Sequence, residues 1–186
     1  MSKKSVRVST TVSTAVKKAA ESAIEMAALT STQKRDVLLR FADLIWQKRD
    51  FLLKENSKDI KRETKLESAL FARLKLDESK IKVLADGIHA IAQGADPVHQ
   101  VLQRLELDDN LVLEKRSVPV GVIAVIFESR PDVIPQILAL FLKSGNVGLL
   151  KVEREHICCA LPNCEHLHVA IPFRNTRVFN IASATK

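Results

Sequence analysis

Two basic side chains stand where apolar runs of this sequence end. Glu128-Ser129-Arg130-Pro131 follows the run Val118–Phe127 (VPVGVIAVIF), and Lys151 closes the shorter run Val147–Lys151 (VGLLK). A guanidinium fork and an ammonium point charge held together favour a phosphate or a carboxylate; the plainer alternative is two cations that solvate a sheet edge. Neither GxGxxG nor the Walker A pattern occurs, so no common glycine-rich phosphate loop explains them. A second group lies further on: His156, Cys158, Cys159, Cys164, His166 and His168. Its spacing is not that of a paired zinc site, and adjacent cysteines crowd one tetrahedral ion, so no metal is assigned. The 3 cysteines of the chain fall in this stretch alone, which argues against a disulfide framework.

The elements that must position Arg130 and Lys151 follow from pattern. A buried, β-branched run such as Val118–Phe127 suits a strand covered on both faces, with Pro119 and Gly121 near its start. A helix over Val133–Lys143 carries Pro135 in its first turn and ends at Ser144-Gly145-Asn146, before the second strand. Strand, crossover helix and strand make a right-handed βαβ unit. Ligands of such sheets bind beyond the carboxyl ends of the strands, where Arg130 and Lys151 would meet.

Upstream, the chain reads as helical. A helix from Thr11 to Leu29 precedes Thr30-Ser31-Thr32, which offers N-caps. Val37, Leu38, Phe41, Leu44, Ile45 and Leu52 trace one amphipathic stripe, widened by the packing residues Trp46 and Phe51. Further helices cover Ser68–Leu74 and Ser79–Gln93; His89 in the latter reads as structural, and Gly94 and Asp96-Pro97 end it. Leu105 and Leu107, then Leu111 and Leu113, alternate with polar residues around Asp108-Asp109-Asn110, which predicts a β-hairpin.

Composition excludes several classes. The 186 residues are 46% hydrophobic with 5 Gly and 6 Pro, so the chain is neither disordered nor repetitive. No apolar stretch approaches the ~18 residues of a membrane span, and no membrane partner is expected. The net charge of +7 arises from interleaved charges, and with aromatics at 4% there are few stacking faces for single strands, so no nucleic-acid partner is expected. The acid-free, Ser/Thr-rich start (Met1–Ala20) has the outline of a transit peptide, but its apolar positions already keep a helical period. The expected location is the cytoplasm.

The stretch Val118–Lys151, with its P-x-G-V, F-E-S-R-P and K-S-G-N elements in order, resembles the signature of gamma-glutamyl phosphate reductase (glutamate-5-semialdehyde dehydrogenase). SALFARLKLDESKI, IAQGADPV and LVLEKRSVPVGV extend the likeness upstream, so that it covers about Val12–Lys151. The resemblance implies an α/β, aldehyde-dehydrogenase-like fold present in part: a helical first half, a hairpin that serves oligomerisation, and a βαβ unit of a parallel sheet. It divides the chain into residues 1–151, part of a dinucleotide-binding domain, and 152–186, a divergent tail. It implies NADPH as cofactor, gamma-glutamyl phosphate as substrate in proline biosynthesis, and a homo-oligomer.

Residues Glu128, Ser129, Arg130 and Pro131 would then lie near the nicotinamide, and Lys151 near the adenosine ribose and its 2'-phosphate. The family's nucleophilic cysteine, which attacks the acyl phosphate to give a thioester, is expected beyond the matched stretch. No catalytic residue is assigned, and Cys158, Cys159 and Cys164 lack the family's motif. The alternative is a non-catalytic fragment that binds dinucleotide or full-length subunits.

Overall fold

The computed structural model describes residues 10–62, 68–127, 130–152, 168–171 and 180–183. Within them, α1 (Thr10–Ala27), α2 (Ser31–Gln47), α3 (Arg49–Arg62), α4 (Ser68–Leu74) and α5 (Glu78–Gln93) precede the first strand. A hairpin follows, β1 (Val101–Asp108) and β2 (Leu111–Arg116), then β3 (Val122–Phe127), α6 (Val133–Ser144) and β4 (Val147–Val152). Two short strands of the tail, β5 (His168–Ile171) and β6 (Asn180–Ser183), extend the sheet in the order β3-β4-β5-β6. The β3–β4 pair is parallel, as the βαβ pattern requires, while β5 and β6 are added antiparallel. The tail's His156, Cys158, Cys159, Cys164 and His166 lie outside the described residues.

Local chemistry explains the helix ends. Thr30 caps α2 by a capping box: its hydroxyl accepts from the Gln33 amide, and the Gln33 side chain accepts from the Thr30 amide. Asp77 caps α5 by accepting from the Lys80 amide at 2.8 Å. The apolar stripe from Val37 to Leu52 is shared by two helices, because the chain turns at Lys48. Arg49 spans that corner: its guanidinium sits 4.9 Å from the Trp46 ring centroid and pairs with Glu78 at 3.4 Å. Phe51, expected in a packed surface, is exposed.

The core gathers the inner faces of α1, α2, α5 and α6 against the sheet. Leu38, Ile88, Leu142 and Leu150 are almost wholly buried, each contributing about 1.5–3 kcal/mol. α1 lies against β3, β4 and β5, while α6 packs on β4, α2 and α5.

The strand predicted from Val118 begins only at Val122. Pro119 has no amide to donate, and Gly121 takes φ 108°, so neither continues a ladder. The hairpin forms with its turn at Asp109-Asn110, Asn110 taking φ 61°. Its alternation does not cover a face, since every residue of β1 is exposed.

Asp96 ties the hairpin's base to the helices. Its carboxylate meets the buried Lys34 ammonium at 3.2 Å, accepts from Ser31 Oγ at 2.7 Å, and accepts from the Val98 amide at 3.0 Å. Burial by itself would raise the Asp96 pKa, but the hydrogen bonds from Ser31, Val98 and Lys34 and the Lys34 charge together hold it below its ordinary 3.8. A carboxyl so depressed stabilises the fold fully above its ordinary value, and that share fades as pH falls below it. Asp96→Asn should therefore cost about 3 kcal/mol in urea unfolding at pH 7. The deficit relative to the native chain should shrink as pH drops below 3.8; a deficit that stays constant would contradict the ion pair's role.

Candidate functional site

The register of β3 on β4 sets the carboxyl edge of the sheet. Val122 pairs with Val147, and the ladder ends with Ile126 opposite Lys151 and Phe127 opposite Val152. Asn146 fixes this register at the other end. Its Oδ1 accepts from the Gly121 amide at 2.9 Å, its Nδ2 donates to Ser144 Oγ at 2.8 Å, and the neighbouring Val147 amide donates to the Gly121 carbonyl at 2.9 Å. Gly145 ends α6 in the left-handed region at φ 69°, where a Cβ would also press on Pro119 at 3.0 Å. The P-x-G-V and K-S-G-N elements thus meet in space and hold each other. Lys143 completes them by donating to the carbonyls of Ala92 and Gly94 at the end of α5. Burial pushes its ammonium pKa down, as do Lys34 and Arg35, while Asp96 opposes them.

Beyond β3, Arg130 and Asp132 line a cleft of about 660 Å³ between α4, α5 and α6. Val83, Leu84, Ile88 and Ile91 of α5 and Leu140 of α6 supply its apolar walls. Arg73, Lys80 and Gln136 add polar groups. Lys80 is committed to the end of α4, donating to the carbonyls of Ala72 and Lys75. Arg130 donates from Nη2 to Asp132 Oδ2 at 2.9 Å, and its side chain keeps 44% of its surface exposed. An apolar trough with a guanidinium at its margin suits a short aliphatic anion.

Of the residues singled out from sequence, Arg130 enters this cleft and Pro131 is buried beside it in the chain. Lys151 lies exposed on β4 and is not among the residues that line the cleft. Glu128 and Ser129 lie outside the described residues. Asp132, Gln136 and the α5 wall are additions from the structure. A carboxylate two residues after an arginine was a legible signal, whereas the meeting of α5 with α6 was not. His89, read as structural, pairs with Asp43 at 3.2 Å on the outer side of the helices.

No protein-family model matches the chain. A gamma-glutamyl phosphate reductase of Brachyspira hyodysenteriae is 42% identical over 137 residues, which are 70% of this chain and 32% of that relative. The crystal structure of gamma-glutamyl phosphate reductase from Saccharomyces cerevisiae superposes with TM-score 0.72 at 35% identity, covering 80% of this chain and 38% of that one. More distant folds also match. One is a chain described as a probable aldehyde dehydrogenase from Listeria monocytogenes EGD-e (TM-score 0.57, 15% identity, 82% of this chain and 31% of that one). Another is 3,6-anhydro-L-galactose dehydrogenase in complex with NAP (TM-score 0.59, 19% identity, 79% of this chain and 29% of that one). The described fold is therefore part of an aldehyde-dehydrogenase-like α/β architecture. Within that class the chain is similar, in sequence and in backbone, to gamma-glutamyl phosphate reductase, and it spans about a third of the length of the curated relatives it matches.

The cleft's α6 wall depends on how closely that helix approaches β4. Gly148 permits the approach, because a Cβ there would fall inside the Phe141 ring. Gly148→Ala should destabilise the chain by about 1–3 kcal/mol in urea unfolding; an unchanged midpoint would mean that α6 packs elsewhere.

Proposed function

We propose that this chain carries the cofactor-side part of a glutamate-5-semialdehyde dehydrogenase, which reduces gamma-glutamyl phosphate with NADPH in proline biosynthesis. The observation that carries the proposal is the meeting of P-x-G-V with K-S-G-N, which sets β3 and β4 in parallel register and leads the chain from β3 to Arg130 at an apolar cleft. The likeness to gamma-glutamyl phosphate reductases over 70% of the chain supplies the reaction class. The cleft suits the substrate's chemistry: methylenes against Val83, Ile91 and Leu140, and an acyl phosphate or carboxylate against the Arg130 fork.

NADPH, when bound, supplies the hydride. Glu128, Ser129, Arg130 and Pro131 are proposed to lie where the nicotinamide meets the reacting centre, so that Arg130 serves the substrate anion beside the cofactor, and Lys151 is proposed to hold the adenosine ribose and its 2'-phosphate. Lys151 is exposed at the carboxyl end of β4, where an ammonium fits the extra charge of a 2'-phosphate. The residues described between β3 and α6 include no glycine, so side chains rather than a glycine-rich turn would hold the cofactor there. Among the described residues, no helix is long and apolar enough to cross a membrane. The location proposed with this function is the cytoplasm. The proposed assembly is a homo-oligomer joined through the hairpin: Leu105 and Leu113 face each other in register, both exposed.

A second form of the proposal is a chain that binds dinucleotide or full-length subunits without turnover. Phosphate-dependent reduction of NADP by glutamate semialdehyde separates the two, and turnover that Arg130→Ala abolishes would establish the catalytic form. In either form, Lys151→Ala should weaken NADPH about tenfold in calorimetric titration, with little change for NADH. Equal losses for both cofactors would remove Lys151 from the 2'-phosphate. Leu105→Glu with Leu113→Glu should convert a self-associated species to monomer in sedimentation velocity; an unchanged distribution would remove the hairpin from the interface.

A further inference from the structure

Asp132 stands at the N-cap of α6, a position where an aspartate ordinarily accepts from the second or third helical amide. It makes no such bond. Its backbone is already helical, at φ −73° and ψ −23°, and its carboxylate holds the Arg130 guanidinium at 2.9 Å instead. The two side chains differ in exposure, 20% for Asp132 against 44% for Arg130, so the carboxylate is the anchored partner and the guanidinium the projecting one. Both line the cleft.

From this we infer that Asp132 is a positioning residue, which orients the Arg130 fork for an anionic ligand in the cleft. The inference rests on the proposed role of Arg130 as the anion-binding group there. An unrestrained arginine loses rotamer freedom when it engages an anion. Asp132 removes part of that freedom in advance by engaging Nη2, and a guanidinium has further N–H donors to present. The carboxylate also cancels much of the local positive charge, so selection in the cleft depends on donor geometry more than on net charge. Asp132 touches no ligand in this account and acts only through Arg130.

The test is binding of inorganic phosphate to the full chain, followed by calorimetry for the native protein, Asp132→Ala, Asp132→Asn and Arg130→Ala, with a thermal melt of each. Asp132→Ala should weaken phosphate about three- to tenfold. Asp132→Asn keeps an oxygen that accepts from the guanidinium, and should bind phosphate at least as tightly as half the native affinity. Rescue by asparagine with loss in alanine is the signature of positioning. Tighter binding in both variants would overturn the inference, because Asp132 would then act only as a competing charge. Unchanged phosphate affinity in both, with or without a lower melting temperature, would also overturn it and leave Asp132 a helix-end residue. Arg130→Ala reports on the underlying site separately: if it leaves phosphate affinity unchanged, the role of Arg130 fails, whatever the Asp132 variants do.

Discussion

A single buried amide organises the sheet. Asn146 is 6% exposed, and one side chain bonds the Gly121 amide and the Ser144 hydroxyl at once. An unpaired donor at that depth would cost about 1–3 kcal/mol, so the clamp is kept closed by the penalty for opening it. Closing it joins the end of α6 to the start of β3, and the parallel ladder from Val122–Val147 to Phe127–Val152 follows. Every functional placement beyond β3 inherits its position from that ladder. The two glycines flanking the clamp have separate tasks: Gly121 turns the chain into β3 at φ 108°, and Gly145 turns it out of α6 at φ 69°.

The electrostatics form two layers around this frame. In the inner layer, Lys34, Asp96 and Ser31 bind the start of α2 to the base of the hairpin, and Lys143 seals the end of α5. The charges among them, Lys34, Asp96 and Lys143, are buried or half-buried and partnered, and their task is to hold elements together. In the outer layer, Arg130 keeps part of its surface exposed while it pairs with Asp132 at 2.9 Å, and Lys151 is exposed on β4. The hairpin stands apart from both layers. Its leucines are exposed, while its polar pairs, such as Arg116 with Glu114 at 2.6 Å, are made within the arm.

Sequence pattern made α1, α4, α5, the hairpin and the βαβ unit legible, because local signals such as Thr30 before α2, Asn110 in the turn and Gly145 after α6 mark their ends, whereas the single stripe from Val37 to Leu52 hid the break at Lys48 between α2 and α3. It also carried the resemblance, since P-x-G-V and K-S-G-N are short and distinctive. The motifs did not reveal that they meet in space, because the Gly121–Asn146 bond joins residues 25 apart in the chain. The strand start was misplaced for a related reason: Val118 and Val120 belong to the apolar run by composition, yet lie exposed before the backbone turns at Gly121. The cleft was not legible at all. Arg130 was identified from the strand end, but the α5 wall that it faces is set by tertiary packing, and Lys151 was expected beside it although it does not line that cleft.

Amide hydrogen exchange at Gly121 and along Val122–Phe127, in the native chain and in Asn146→Ala, tests the organising clamp most directly. A Gly121 amide held by Asn146 should be protected in the native chain. Its protection should be lost in the variant, with the loss spreading into β3 while α2 and α5 keep theirs. A native Gly121 amide that exchanges as fast as the exposed turn at Asp109-Asn110 would contradict the clamp, and with it the placement of everything beyond β3.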